Sequence, residues 1–376
     1  MATTCDFLII GGGIAGASAA YELARLGSVI LLERESQPGY HTTGRSAAFF
    51  TENYGNRAIR GLTIASRSFL TDPPDGFTEH PLMLPGGIVF IARADQAESY
   101  REAVEEARLL TEIEEVGPEE TVRLVPVLRP DYAAHAFFEP EAMYMDVALI
   151  HRGFLRGLTV RGGRLVTDSE VTAIAREGSG WRVEAGGETY AASTIVNAAG
   201  AWADVVAGLA GVPPIGLMPK RRTVIIYPGP DGKPVPHGPM VIDVDEQFYF
   251  KPEAGKFLAS PADETPSPPC DAQPEELDIA TVVDRVERAV TFRIGRIEHS
   301  WAGLRSFVAD RSPVMGPDPA APGFFWLAGQ GGYGIMTSPA MARAVASLAG
   351  AEDWPADLTA LDVTAETLAP RRPGLT

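Results

Sequence analysis

The sequence is poor in the residues that build covalent and metal scaffolds. It holds 2 cysteines, Cys5 and Cys270, and 6 histidines in 376 residues. Two thiols are too few for a disulfide framework or a multi-cysteine zinc site. The histidines, at 41, 80, 135, 151, 237 and 299, have no metal-ligand spacing and read as structural or surface residues, so no metal is expected. Positive charge is also scarce: 32 Lys and Arg stand against 49 Asp and Glu, a net charge of −17. That excludes the basic footprint nucleic acid requires and disfavours purely electrostatic attachment to anionic membranes. No apolar run approaches the roughly 20 residues of a membrane-spanning helix. The first residues lack the basic region of a secretory signal. A cytoplasmic protein is the expectation. Internal repeats and low-complexity segments are missing too.

What the chain does have is a concentrated signal near its start. Phe7 to Ile10 is a short apolar run, read as a buried strand. Gly11, Gly13 and Gly16 follow at G-x-G-x-x-G spacing, Ile14 and Ala15 lie within that turn, and Ala17 to Leu26 reads as a helix. Val29 to Leu32 is a second buried strand, ended by Glu33. This is a βαβ dinucleotide unit. The first glycine permits the turn, the second lets backbone approach a pyrophosphate, and the third lets helix and strand pack closely. The helix N-terminus offers unpaired N–H groups to phosphate. Glu33 comes 20 residues after Gly13, where a carboxylate can accept from ribose hydroxyls.

Further βα units do not follow at once. A polar loop, His41 to Ala48, precedes an expected helix over 57–71, stopped by Asp72-Pro-Pro-Asp-Gly76. A strand is expected over 87–92 and a charged helix over 96–112, while 124–140 reads as proline-rich connection. Residues 147–160 read as a helix and 164–167 as a strand. A hairpin spans 181–191 around Gly186-Gly187. Thr194 to Trp202 begins as a buried strand ending in small residues. Residues 213–240 are proline-rich, three short strands are expected between 240 and 260, and 261–274 reads as exposed loop. A helix over 279–293, a strand over 323–329, a glycine-rich turn at Gln330 to Gly334 and a helix over 335–348 complete the order, with a frayed tail from Ala369. The nucleotide-binding sheet is thus interrupted and resumed.

With these pieces assembled, the chain resembles the family of FAD-dependent D-amino acid oxidases and glycine oxidases. The likeness rests on the βαβ unit with Glu33, on Thr42-Thr-Gly-Arg-Ser-Ala-Ala48, on Val196-Asn-Ala-Ala-Gly200-Ala-Trp202 and on Trp326 to Ser338. Within it, Pro219-Lys-Arg-Arg222, Phe248-Tyr249 and Trp301 to Asp310 are similar to the bacterial D-arginine dehydrogenases. The resemblance implies an α/β fold (α+β overall): a Rossmann-like FAD-binding domain over 1–48, 150–212 and 310–376, and an inserted antiparallel-sheet substrate domain over 49–149 and 213–309. It implies non-covalent FAD. Thr43, Gly44, Arg45, Ser46, Ala47 and Ala48 would follow the pyrophosphate and ring. Val171 would meet adenine, and Arg34, Ala199, Gly200, Trp202, Gly303, Tyr333 and Thr337 would lie beside the cofactor. The turn Gly331, Gly332, Tyr333, Gly334 and Ile335 opens a helix whose N-terminus can stabilise negative charge on a reduced flavin.

Arg222 and Arg305 are the candidates for gripping a substrate carboxylate, since a guanidinium binds one with two parallel bonds. Arg305 stands in an apolar stretch, where an unpaired charge is costly. Tyr54 and Tyr249 would add hydroxyl bonds, Gly332 a backbone carbonyl for the amine, and Phe49 and Met336 would border the side chain. The D-arginine enzymes carry an acid in the loop matching Leu84 to Ile88 and a histidine matching Phe49; this chain has neither. The expected reaction is oxidative deamination of a D-amino acid with an apolar or neutral side chain, hydride leaving Cα for flavin N5 and the imine hydrolysing to keto acid and ammonia. Alternatives are a secondary-amine or imino-acid oxidase of sarcosine- or glycine-oxidase type, a 2-hydroxy-acid dehydrogenase, and a flavin-bound assembly protein without turnover. The sequence leaves open whether oxygen or a quinone accepts the electrons, and the oligomeric state.

Overall fold

Two sheets organise the chain in the computed structural model, which describes residues 2–375. The first has eight strands and is built on Thr3–Ile10, with Val29–Leu32 and Glu188–Asn197 parallel to it on either side. Arg164–Val166 extends one edge in parallel. Val171–Glu177 and Gly180–Ala185 extend the other as an antiparallel meander. Phe324–Ala328 runs parallel to Glu188–Asn197 and carries Val314–Pro317 antiparallel beside it. Phe7 to Ile10 of the first strand and the whole of Val29–Leu32 are apolar and buried because both faces of the sheet are covered there. Leu8, Ile10, Ile30 and Leu32 enter one core, with Trp326 and Ala203. Phe7, Ile9, Val29 and Leu31 enter the other, against helices Ile14–Leu23 and Gly334–Gly350.

The second sheet has nine strands, drawn from 88–139 and 218–307. It is mixed rather than purely antiparallel, since Met240–Asp243 pairs in parallel with Ile88–Ala92. Its backbone is the pairing of Met218–Tyr227 with His299–Phe307, antiparallel from Met218↔Phe307 to Ile226↔His299. One face is sealed by helix Glu276–Ala289. Its Val282 and Val286 are fully buried, a contribution of about 1.5–3 kcal/mol each. The other face carries Val224, Tyr249 and Leu258.

Several elements differ from the sequence reading. The proline-rich 124–140 stretch contains strand His135–Glu139, and helix Pro118–Leu124 precedes it. Residues 213–240 contain the ten-residue strand Met218–Tyr227, because its charged half is paired to neighbours on both edges. The helix expected over 96–112 ends at Ala107. The 261–274 segment is not simply exposed: Ala272 is buried, and Asp263 and Glu264 bond to Arg222, Thr223, Lys220 and Arg311. The tail is tied down rather than frayed. Arg372, buried, grips Asp310 with Nε and Nη2 at 2.7 and 2.8 Å, and Arg371 reaches buried Asp318 at 2.9 Å. Cys5 and Cys270 are free, and burial pushes the Cys5 thiol up to about 12. Among the described residues, no helix is long and apolar enough to cross a membrane and no His, Cys, Asp and Glu group is arranged for a metal.

Candidate cofactor and substrate site

The glycine turn is shaped by close contacts. Gly11 has φ 108°, and a Cβ there would lie 2.5 Å from the Ala198 carbonyl oxygen; one on Gly16 would lie 1.9 Å from the Gly11 carbonyl oxygen. The Gly12 peptide is clamped from both sides. Its N–H donates to Glu33 Oε2 at 2.8 Å, and its carbonyl accepts from His151 Nε2 at 2.8 Å. Burial lowers the His151 pKa, so the ring is neutral and gives its one proton to that bond. Glu33 is buried, its other oxygen accepting from Glu35 N–H at 2.9 Å. Thr43 Oγ1 already accepts from Ile14 N–H at 3.0 Å.

A long cleft of about 240 Å³ runs from this turn between the two sheets. Gly11, Gly13, Ile14, Ala15, Glu33, Arg34, Thr43, Arg45, Ser46, Ala47, Val171, Ala199, Gly200, Trp202 and Gly303 line it, as do Gly331, Gly332, Gly334 and Ile335. Two helix N-termini, at Ile14 and Gly334, open onto it, and neither has a side-chain bond from its capping residue. Both therefore offer partial positive charge to the cleft. At the end by Glu33 the Arg34 guanidinium lies over the Trp202 ring at 4.3 Å. Five expected cofactor residues do not line the cleft, and one of them, Ala48, borders the smaller cavity beyond it. Gly16 is taken up by helix packing, and Gly44 N–H bonds to Gly39. The Thr337 hydroxyl donates back to the Tyr333 carbonyl at 2.9 Å, and the Tyr333 ring packs on Tyr54, centroids 4.9 Å apart. Arg45 lines the cleft, yet its guanidinium is engaged by Asp271 and the carbonyls of Ala272 and Ala302.

At its far end the cleft joins a smaller cavity that shares Ser46, Ala47, Arg222, Tyr249, Arg305, Gly332 and Ile335. Ala48, Phe49, Tyr54 and Met336 border this cavity. The two arginines lie on paired strands, where Arg222 opposes Gly303 and Lys220 opposes Arg305. They are diagonal neighbours on one face. Arg305 has no carboxylate partner among the described residues; its Nη1 donates a long 3.3 Å bond to Tyr54 Oη. The surrounding tyrosine oxygens, Tyr54 foremost, raise its pKa against the opposing effect of burial, so it stays cationic. A Cβ on Gly332 would stand 2.8 Å from Arg305 Nη1, so only glycine lets the guanidinium lie flat on that turn. Arg222 is buried, with Nε donating to the Asp263 carbonyl at 2.8 Å. Its nearest carboxylate, Glu264, is 3.6 Å away and already bonded to Lys220 at 2.7 Å and Arg311 at 2.6 Å. Two guanidinium groups without full anionic partners make a receptor for an anion.

Three lining groups bear buried polar atoms with no partner among the described residues: Tyr249 Oη, Gln330 Nε2 and His41 Nδ1. Such atoms are costly unless something in the cleft bonds them. With the uncapped helix starts and the glycine turn, they fit a dinucleotide carrying a polar ring. Sequence reasoning missed Gln330, although it opens the glycine-rich turn, and read His41 as structural although it lies in the cofactor loop. It also missed Glu246, an exposed carboxylate in the hairpin between Met240–Asp243 and Tyr249–Glu253 that lines the smaller cavity. Nothing local marks that residue, because only the hairpin's approach to Tyr54 and Tyr333 brings it there.

The chain is similar to known proteins over most of its length. Glycine oxidase of Geobacillus kaustophilus is 23% identical over 96% of this chain and 96% of its own. Its crystal structure superposes with a TM-score of 0.84 over 96% of this chain and 99% of that one. FAD-dependent oxidoreductase domain-containing protein 1 of Bos taurus is 24% identical over 91% of this chain and 80% of its own. Human mitochondrial sarcosine dehydrogenase is 26% identical over 89% of this chain, which matches 38% of that longer protein. Residues 6–348, from the first strand through most of the last long helix, match the family described as DAO, FAD dependent oxidoreductase, and the chain belongs to that family.

Proposed function

We propose that the protein oxidises an α-amino acid, of D configuration and with an apolar or neutral side chain, to the imino acid, which water converts to keto acid and ammonia. When bound, FAD supplies the two-electron acceptor for this family's oxidations. The observation that carries the reading is Arg305, a cavity-lining guanidinium without a carboxylate partner, diagonal to Arg222. A carboxylate docked on the pair has its orientation fixed by parallel bonds. The partnerless Tyr249 hydroxyl and that of Tyr54 then hold the carboxylate or amine, and the Gly332 carbonyl accepts from the amine. Phe49, Phe90, Met240, Ile242 and Met336 surround an apolar side chain. The D configuration is carried by the family resemblance. The strand ranges support a division into a cofactor domain (1–48, 150–212, 310–376) and a substrate domain (49–149, 213–309).

A second reading, oxidation of a secondary amine, draws on relatives that include sarcosine dehydrogenase and rat dimethylglycine dehydrogenase. Anaerobic mixing with a panel of D-amino acids, sarcosine and 2-hydroxy acids, followed by the visible flavin band, tests both. Bleaching by D-Leu, D-Met or D-Phe is the expected result; bleaching by sarcosine alone would overturn it.

A further inference from the structure

Glu139, at the end of strand His135–Glu139, is 1% exposed. No Lys, Arg or His among the described residues pairs with it. Burial pushes its carboxyl up, and its bonds to Asn53 and Thr51 only partly offset this. The Arg67 guanidinium that acts on it from a distance is bonded to Glu52 instead, and a buried acid with no direct cation is expensive unless it is hydrogen-bonded. Here both partners come from one segment. Thr51 Oγ1 lies 2.8 and 3.0 Å from the two carboxylate oxygens, and Asn53 Nδ2 lies 3.0 Å from Oε2. The segment is knotted on itself, Asn53 N–H donating to Thr51 Oγ1 at 3.1 Å. Thr51 lines the smaller cavity, and Tyr54, the next residue after Asn53, is the one that meets Arg305. The segment has two further ties, Arg67 Nε to Glu52 Oε1 at 2.6 Å and Asn53 Nδ2 to Thr111 Oγ1 at 2.5 Å, and Gly55, at φ 90°, and the Asn56 cap of the following helix fix its far side.

We propose that Glu139 is a positioning residue for the substrate site: from outside the cavity it fastens Thr51 and Asn53, and so sets where Tyr54 meets Arg305. The inference rests on the carboxylate-docking reading above. It assigns Glu139 to substrate affinity and not to the bond-breaking step, since the residue touches neither cavity.

The test compares Glu139→Leu and Glu139→Gln in the FAD-loaded protein, by hydrogen–deuterium exchange over residues 51–54 and by titration with benzoate, read from the flavin spectrum. Glutamine keeps an oxygen for Thr51, and its amide can donate to Asn53 Oδ1, which has no partner. We expect faster exchange in E139L, a roughly tenfold weaker benzoate Kd, and a KM that rises with kcat nearly unchanged; E139Q stays within about threefold of the parent on every readout. Unchanged exchange at 51–54 in E139L overturns the inference. If E139L does not fold, Asn53→Ala, which removes one of the fastenings, decides on the same exchange measurement. Equal benzoate affinity in the parent and in Arg305→Ala would sink the carboxylate reading instead, and the exchange comparison would still judge Glu139.

Discussion

Replacing Arg305 with alanine removes a cavity cation that, among the described residues, has only a 3.3 Å tyrosine bond to lose. The effect therefore falls on ligand binding rather than on folding. Two charged hydrogen bonds to a carboxylate are worth about 1.5–3 kcal/mol each. Arg222 remains and water enters the vacated space, so the lower half of that sum applies, about 3 kcal/mol or roughly 150-fold in affinity. Arg305→Lys keeps the charge but loses the fork, and should weaken binding by about tenfold. Rapid anaerobic mixing over a range of substrate concentrations separates Kd from the limiting rate of flavin reduction, and the flavin content of the purified variant shows that the cofactor is retained. A Kd within threefold of the parent for R305A, with FAD bound, would refute the assignment of the carboxylate to this residue.

Gly332→Ala should act through the same guanidinium, because its Cβ would press on Arg305 Nη1 at 2.8 Å; a roughly tenfold weaker carboxylate Kd with normal FAD content is expected by titration. Glu264 gives a pH signature. Arg311 and Lys220 pull its carboxyl from an ordinary 4.5 down to about 2. A depressed native pKa means stability present above 4.5 and lost as pH falls toward 2. Glu264→Gln should therefore lose about 2 kcal/mol at neutral pH, after allowance for partial solvent screening, and the difference from the parent should fade in acid; denaturant titrations at both pH values check this. Arg372→Ala should cost about 2 kcal/mol by removing a buried guanidinium's bonds to Asp310 and to the Ser312, Pro313 and Ala369 carbonyls, seen as a lower denaturation midpoint. D-Leu, D-Met and D-Phe should reduce the flavin and D-Arg should not; reduction by D-Arg that disappears in Glu246→Gln would show that this carboxylate supplies the missing counter-charge.

The first βαβ unit was legible because each of its steps is local: an apolar strand, a turn only glycine can make, a helix start and an acid. Helices 57–71 and 147–160 were equally plain, and the structure adds Asn56 and Asp146 as their caps. The second sheet was much less so. Strand Met218–Tyr227 begins Met-Pro-Lys-Arg-Arg, which reads as loop by composition; it becomes a strand because His299–Phe307 and Thr265–Pro266 pair with it. Arg305 was conspicuous as a charge in an apolar run. Its relation to Arg222 was not, since it depends on register between two strands far apart in the chain, Met218–Tyr227 and His299–Phe307. Thr337 stands outside the cleft lining for a different reason: a helical threonine can satisfy itself on its own preceding turn, as this one does.

That strand pairing has a consequence for how binding competence arises. Neither arginine can find its neighbour until residues 218–227 and 299–307 have closed the long connection between them, a non-local step with an entropic barrier. A slip of one residue along the ladder would turn one guanidinium to the opposite face of the sheet. The anion receptor is therefore assembled all at once, when the two strands pair in register. A carboxylate ligand, binding only the paired form, would act on the protein as a brake on unfolding of this half of the chain.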